Sequence, residues 1–140
     1  MNRIFIDTDP EKSKIILGDI LNLDKSIFIY PTDTVYGIGA NALNSESTNS
    51  ISKLKKRDNN KSGYSIIPPS LQWIQQNFIL NEKVLNLISK SPGKQTFILS
   101  KKEDNFLNHL SINNSIAIRI SKDYFSNLLI APMTASFWKL

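Results

Sequence analysis

The stretch Ile27-Phe28-Ile29-Tyr30-Pro31-Thr32-Asp33-Thr34-Val35-Tyr36-Gly37 governs how the rest of the chain is read. Its first part is a short apolar run ended by a proline, the pattern of a buried strand. Its second part sets two threonines around one carboxylate and runs on to Gly37 and Gly39. If the chain stays extended past Pro31, Thr32 and Thr34 project to one side, because strand side chains alternate with period two. Two hydroxyls then converge at the end of a strand, where open α/β sheets place ligands. A β-branched strand end followed by a glycine turn accounts for the same residues without any site.

Working outward, Arg3-Ile4-Phe5-Ile6 reads as a first strand, and Pro10 opens a helix with Ile15, Ile16, Ile20 and Leu21 on one stripe. Asn44-Ser45-Glu46 starts a helix that reaches about Arg57, with Ile51 and Leu54 as its core positions. Tyr64-Ser65-Ile66-Ile67 is a strand stopped by Pro68-Pro69. Ser70 caps a helix carrying Leu71, Ile74 and Phe78, and Asn81 caps another carrying Val84, Leu85 and Ile88. Ser91-Pro92-Gly93 breaks that helix. Thr96-Phe97-Ile98-Leu99 is a strand, and Ile116, Ile118 and Ile120 alternate with Ala117 and Arg119 as a half-buried strand does. Ser121 starts a short helix to Leu129. Strands mixed with helices predict an α/β sandwich on a twisted mixed sheet.

At 140 residues the chain makes one domain, and a chain of this length buries about two thirds of its unfolded surface. Its hydrophobic content of 41% is that of a globular protein. No apolar run approaches the ~20 residues that span a bilayer, and Met1-Asn2-Arg3 leads into only a short apolar patch, so neither a membrane partner nor a signal peptide is expected. The absence of cysteine excludes disulfides and thiolate metal sites, and a cytoplasmic location is the expectation. The formal charge of +5 favours anionic partners such as nucleotides, nucleic acid or acidic lipids, although on charge alone a merely soluble basic surface is the better account.

The octet Tyr30–Gly37 resembles the signature of the YrdC family, the threonylcarbamoyladenylate synthases, and the resemblance extends from about the first strand to Ser136. It implies a twisted mixed sheet flanked by helices in one domain over residues 1–140. It also implies an enzyme that joins L-threonine, bicarbonate and ATP, with Mg2+ carried by the ATP, into threonylcarbamoyl-adenylate, releasing pyrophosphate. The product serves a tRNA modification beside the anticodon.

Such an adenylation needs no enzyme nucleophile. It needs positioning and the neutralisation of phosphate charge. The single histidine, His109, and the lack of cysteine agree with this and argue against triads. Lys53, Lys55, Lys56, Arg57 and Lys61 follow the octet, and Lys55 and Arg57 match the family's Lys-x-Arg pair, implied to hold the reacting phosphate and carbamate. A forked guanidinium suits such planar oxygens. A solvated basic helix end is the plainer account, and it is kept for Lys53 and Lys56. Thr32 and Thr34 match positions implied to contact threonine, and Asp33 either orients its ammonium or caps the turn. Arg119 matches the family's Val-Arg-x-Pro strand and is expected on the substrate. Thr96, within Ser91-Pro92-Gly93-Lys94-Gln95-Thr96, resembles the Pro-Gly-Pro-x-Thr run and is expected on the nucleotide, together with Lys61, Thr134 and Ser136.

The departures are specific. Ser62 stands where the family has proline, Gly63 reads as an insertion, and the histidine that often ends the next strand is replaced by Ile66-Ile67-Pro68. The family's Ser-Ala-Asn run reads Thr134-Ala135-Ser136, so the final amide is lost. The strands beyond that run are expected to be missing, leaving an apolar end for a protein partner to cover. A second reading follows: a non-catalytic protein of this family that binds nucleotide, tRNA or double-stranded RNA through its basic surface.

Overall fold

A computed structural model describes residues 9, 11–12, 25–32, 34–56 and 64–122. The expected strand at Arg3–Ile6, the Ile15–Leu21 stripe, the helix from Ser121 to Leu129, and Asp33, Arg57, Lys61, Thr134 and Ser136 lie wholly or almost wholly outside these residues. The described chain forms two sheets and three helices. Strands β1 (Ile27–Tyr30) and β2 (Gly37–Ala40) make an antiparallel hairpin. The second sheet has the order β3-β5-β4, with β3 (Ser65–Ile66) parallel to β5 (Ser115–Ile120) and β4 (Gln95–Ser100) antiparallel to it. The helices are α1 (Ser45–Leu54), α2 (Leu71–Asn77) and α3 (Glu82–Ser89).

All three helices begin where a side chain can replace a missing backbone partner. Asn44 accepts from the Ser47 N–H at 3.0 Å, Ser70 from Trp73 at 3.1 Å and Asn81 from Val84 at 2.8 Å. Helices α2 and α3 cover one face of the second sheet. Their Trp73, Ile74 and Ile88, with Phe78, pack against Ile66, Leu99, Ile116 and Ile118. The rings of Trp73, Phe78 and Phe106 meet in tilted or edge-on contacts with centroids 5.7–6.1 Å apart. Trp73 thereby takes the buried place that the helical spacing gave to Leu71, which is exposed.

Past α2 the chain pairs with the outer edge of β4. Phe78 bridges Lys101, the Ile79 N–H donates to Ser100 O, and the Lys102 N–H donates to Asn77 O. Lys101 is buried there and its ammonium donates to the Asp104 carbonyl at 2.7 Å. Asn113 and Asn114 both take the left-handed conformation, and Ile112 and Ser115 exchange both backbone hydrogen bonds around them, a type I′ hairpin turn leading into β5.

Two expectations are corrected. Helix α1 stops at Leu54, with Lys55 as its cap and Lys56 at φ 49°, and Leu54 is exposed. Its buried face consists of Ser47, Thr48, Ile51 and Ser52, because α1 packs on the glycine-bearing strand β2. The glycines belong to that strand and not to a turn. Tyr30 and Phe28 face Gly37 and Gly39 across the hairpin, their ring centroids 5.5 Å apart. A Cβ on Gly39 would stand 2.8 Å from the Tyr30 ring, so glycine there makes room for an aromatic laid over the neighbouring backbone.

Candidate active site

Thr32 and Thr34 come together, but not as an extended strand end. β1 stops at Tyr30, and the turn that follows is closed by Thr32, whose Oγ1 accepts the Thr34 N–H at 3.2 Å and donates to the Val35 carbonyl at 2.5 Å. This is a local side-chain turn that competes successfully with continued strand. It leaves the two hydroxyl oxygens 3.3 Å apart. The Thr32 proton is committed to Val35, so in the 3.3 Å contact Thr34 is the donor, and Thr34, which is exposed, can turn its hydroxyl from that long bond toward a ligand. Among the described residues the strand carrying this turn pairs antiparallel with β2 and exposes Ile29, so it is not the buried strand that its apolar run predicts.

Thr96 and Arg119 are directly opposed on β4 and β5. Phe97, Leu99, Ile116, Ile118 and Ile120 point to the helices, so alternation sets Thr96, Ile98, Ala117 and Arg119 on the other face, with Ser65 beside Ala117. Ile98 is 78% exposed there. The loop feeding Thr96 into β4 is tight. Buried Ser91 donates to Gln95 Oε1 at 2.7 Å and accepts from the Gly93 N–H, and Gly93 has φ 95°, which glycine adopts without cost.

Lys55 and Lys56 are exposed at the end of α1, as is Lys53 within its last turn. Among the described residues, then, the structure pairs Thr32 with Thr34 and Thr96 with Arg119, and sets Lys55 at the C-terminal cap of the helix that follows the hairpin. Tyr64 was read only as the start of a strand. Its hydroxyl reaches back to α1, and no local signal marks this, because its partners Thr48 and Ser52 lie on a separate helix earlier in the chain.

A cleft of about 220 Å³ opens on the helix side, beyond the ends of β3 and β5, walled by Ile67, Pro69, Leu71, Ile74, Ile88 and Ile120. No sequence-predicted site residue lines it. Among the described residues no helix is long and apolar enough to cross a membrane.

This architecture is shared with solved structures. E. coli YciO matches with a TM-score of 0.73 at 15% identity over 86% of this chain and 60% of its own. P. abyssi Sua5, in a complex with L-threonine, matches with a TM-score of 0.70 at 24% identity over 95% of this chain and 38% of its own. These likenesses define the fold class. The Sua5/YciO/YrdC family model, described as telomere recombination, matches residues 21–136, and the chain belongs to that family. A Methanocaldococcus jannaschii protein, provisionally named a threonylcarbamoyl-AMP synthase, is 32% identical over 96% of this chain. A threonylcarbamoyl-AMP synthase of Pseudoalteromonas atlantica is 30% identical over 55% of it. The chain spans 65% of the length of the first relative and its match spans 43% of the second.

Proposed function

We propose that the protein is a threonylcarbamoyl-AMP synthase acting on L-threonine, bicarbonate and ATP, in the service of tRNA threonylcarbamoyladenosine formation. The observation that carries this reading is the Thr32–Thr34 hydroxyl pair, exposed in a turn whose sequence is the family octet. The names of the two relatives and the threonine bound by P. abyssi Sua5 support it.

In this reading the threonine amine and bicarbonate condense to a carbamate with loss of water. A carbamate oxygen then attacks the α-phosphorus of ATP, and pyrophosphate leaves with the electron pair of the broken P–O bond. Thr34 contacts threonine, and Thr32 holds the turn in shape while lending its oxygen to the same pocket. Arg119 takes the substrate carboxylate. Lys55 and Arg57 bear on the carbamate and the α-phosphate, where charge moves during transfer. Thr96, Lys61, Thr134 and Ser136 contact the nucleotide, whose phosphates bring Mg2+. The protein's work is to hold two anions together and screen their repulsion, which is the main requirement of phosphoryl and nucleotidyl transfer.

The test is direct. Pure protein incubated with L-threonine, bicarbonate and Mg-ATP should release pyrophosphate only when threonine is present. A folded sample that releases none overturns the reading. Salt-sensitive RNA binding in that same sample would instead support the non-catalytic reading.

A further inference from the structure

We propose that Tyr64 is a positioning residue that fixes the basic end of α1 against the sheet, an inference that rests on the reading above of Lys55 as a nucleotide-binding cation. The argument begins with the buried face of α1, which contains one large apolar side chain, Ile51, among Ser47, Thr48 and Ser52. Apolar burial has no direction, so a single isoleucine leaves the rotation and translation of a helix loosely set. Directional hydrogen bonds must do the rest.

Tyr64 supplies them. Its O–H donates to the Thr48 carbonyl at 2.9 Å, and its oxygen then accepts from the Ser52 hydroxyl. The two partners stand one helical turn apart on the buried face. Of the other two hydroxyls on that face, that of Ser47 has no hydrogen-bond partner among the described residues and that of Thr48 donates to the Ser45 carbonyl of its own helix, so neither offers a substitute. The Tyr64 ring packs against the main core, and its backbone leads directly into β3. The phenol is therefore a strut between the sheet and the last turn of α1.

Lys55 follows that turn at once, its N–H bonded to Ile51 O at 3.0 Å, so its backbone moves with Ser52. The sheet to which β3 belongs also carries Thr96 and Arg119. The strut thus sets the separation between the cation on α1 and the polar face of the sheet. No family motif quoted above includes Tyr64. It follows Gly63, where the sequence departs from the family pattern.

Two substitutions test this on the intact protein. Tyr64→Phe keeps the ring and removes the hydroxyl, and Ser52→Ala removes one partner. Mg-ATP and L-threonine are titrated separately into parent, single and double variants, and amide exchange at Leu54–Lys56 is measured without ligand. Loss of one hydrogen bond predicts a rise of about five- to tenfold in the Mg-ATP Kd, less than a twofold change for threonine, and a similar loss of amide protection at the end of α1. The double variant should be no weaker than Tyr64→Phe alone, since both remove parts of one network. Unchanged Mg-ATP affinity or unchanged exchange in Tyr64→Phe overturns the proposal, as do equal losses for both ligands, which would mean general loosening. Should Tyr64→Phe fail to fold, Ser52→Ala carries the same readouts. A parent that binds no Mg-ATP overturns the functional reading instead. The exchange arm then still decides whether the strut exists.

Discussion

The hairpin β1–β2 and the sheet β3-β5-β4 are stabilised by different means. The sheet owes its order to burial: Phe78, Ile116 and Ile118 are almost wholly removed from water, and two helices lie over them. The hairpin exposes Ile29, Val35 and Tyr36 and owes its shape to short-range geometry. A threonine closes its turn, and two aromatic rings lie over two glycines. Burial tolerates little change without loss of the fold, whereas a side-chain turn can be altered with the fold intact. The Thr32–Thr34 part of the candidate site sits where substitution is structurally cheap, whereas Thr96 and Arg119 are carried by the sheet that supplies stability.

The contrast is sharpest at Phe78. Phe78→Ala should lower stability by about 3–5 kcal/mol, since it opens a cavity among Trp73, Phe106 and the sheet, and chemical denaturation measures this. A loss under ~1 kcal/mol would break the comparison by showing a core that does not depend on burial. Thr34→Val should cost about 1.5–3 kcal/mol of threonine binding, the worth of a hydrogen bond to a charged ligand, with the melting temperature nearly unchanged. Calorimetric titration beside a thermal melt checks both halves of that statement. Gly39→Ala should destabilise by about 1–3 kcal/mol, because the added methyl meets the Tyr30 ring at 2.8 Å. Pairing it with Tyr30→Ala should relieve most of that strain, and a double-mutant cycle reads the coupling. The smallest effect belongs to Glu46→Gln. Its ion pair with Lys25 spans 3.2 Å between largely exposed side chains, so the change should stay within about 0.5 kcal/mol by denaturant midpoint.

How much of this was legible depended on how local each cause was. Asn44, Ser70 and Asn81 announce their helices because a cap acts within three residues. The alternation from Ile116 to Ile120 announces β5 and its two faces, and it places Thr96 and Arg119 together once the register is known. The octet pointed correctly to paired hydroxyls but not to their cause. Periodicity assumed an extended chain, and the structure reached the pairing through a Thr32 turn. Leu54 misled because a helix packed on a glycine-bearing strand buries hydroxyls rather than leucine. The role of Gly39 needs the position of a ring on another strand, and that of Tyr64 needs a helix earlier in the chain. Neither is written in a window of sequence.

The pairing of β3 with β5 also bears on the order in which the chain assembles. β4 and β5 meet through a chain segment that includes the Asn113-Asn114 hairpin turn, whereas Ser65 meets Ala117 across a longer stretch of chain that holds α2, α3 and β4. Closing a long loop for a two-residue strand returns few contacts for the entropy lost. The topology therefore predicts that β3 docks late on the folding pathway, after the β4–β5 ribbon and its helices. Tyr64 would then engage α1 at that final step, so the two halves of the site come into register only when the last strand is seated.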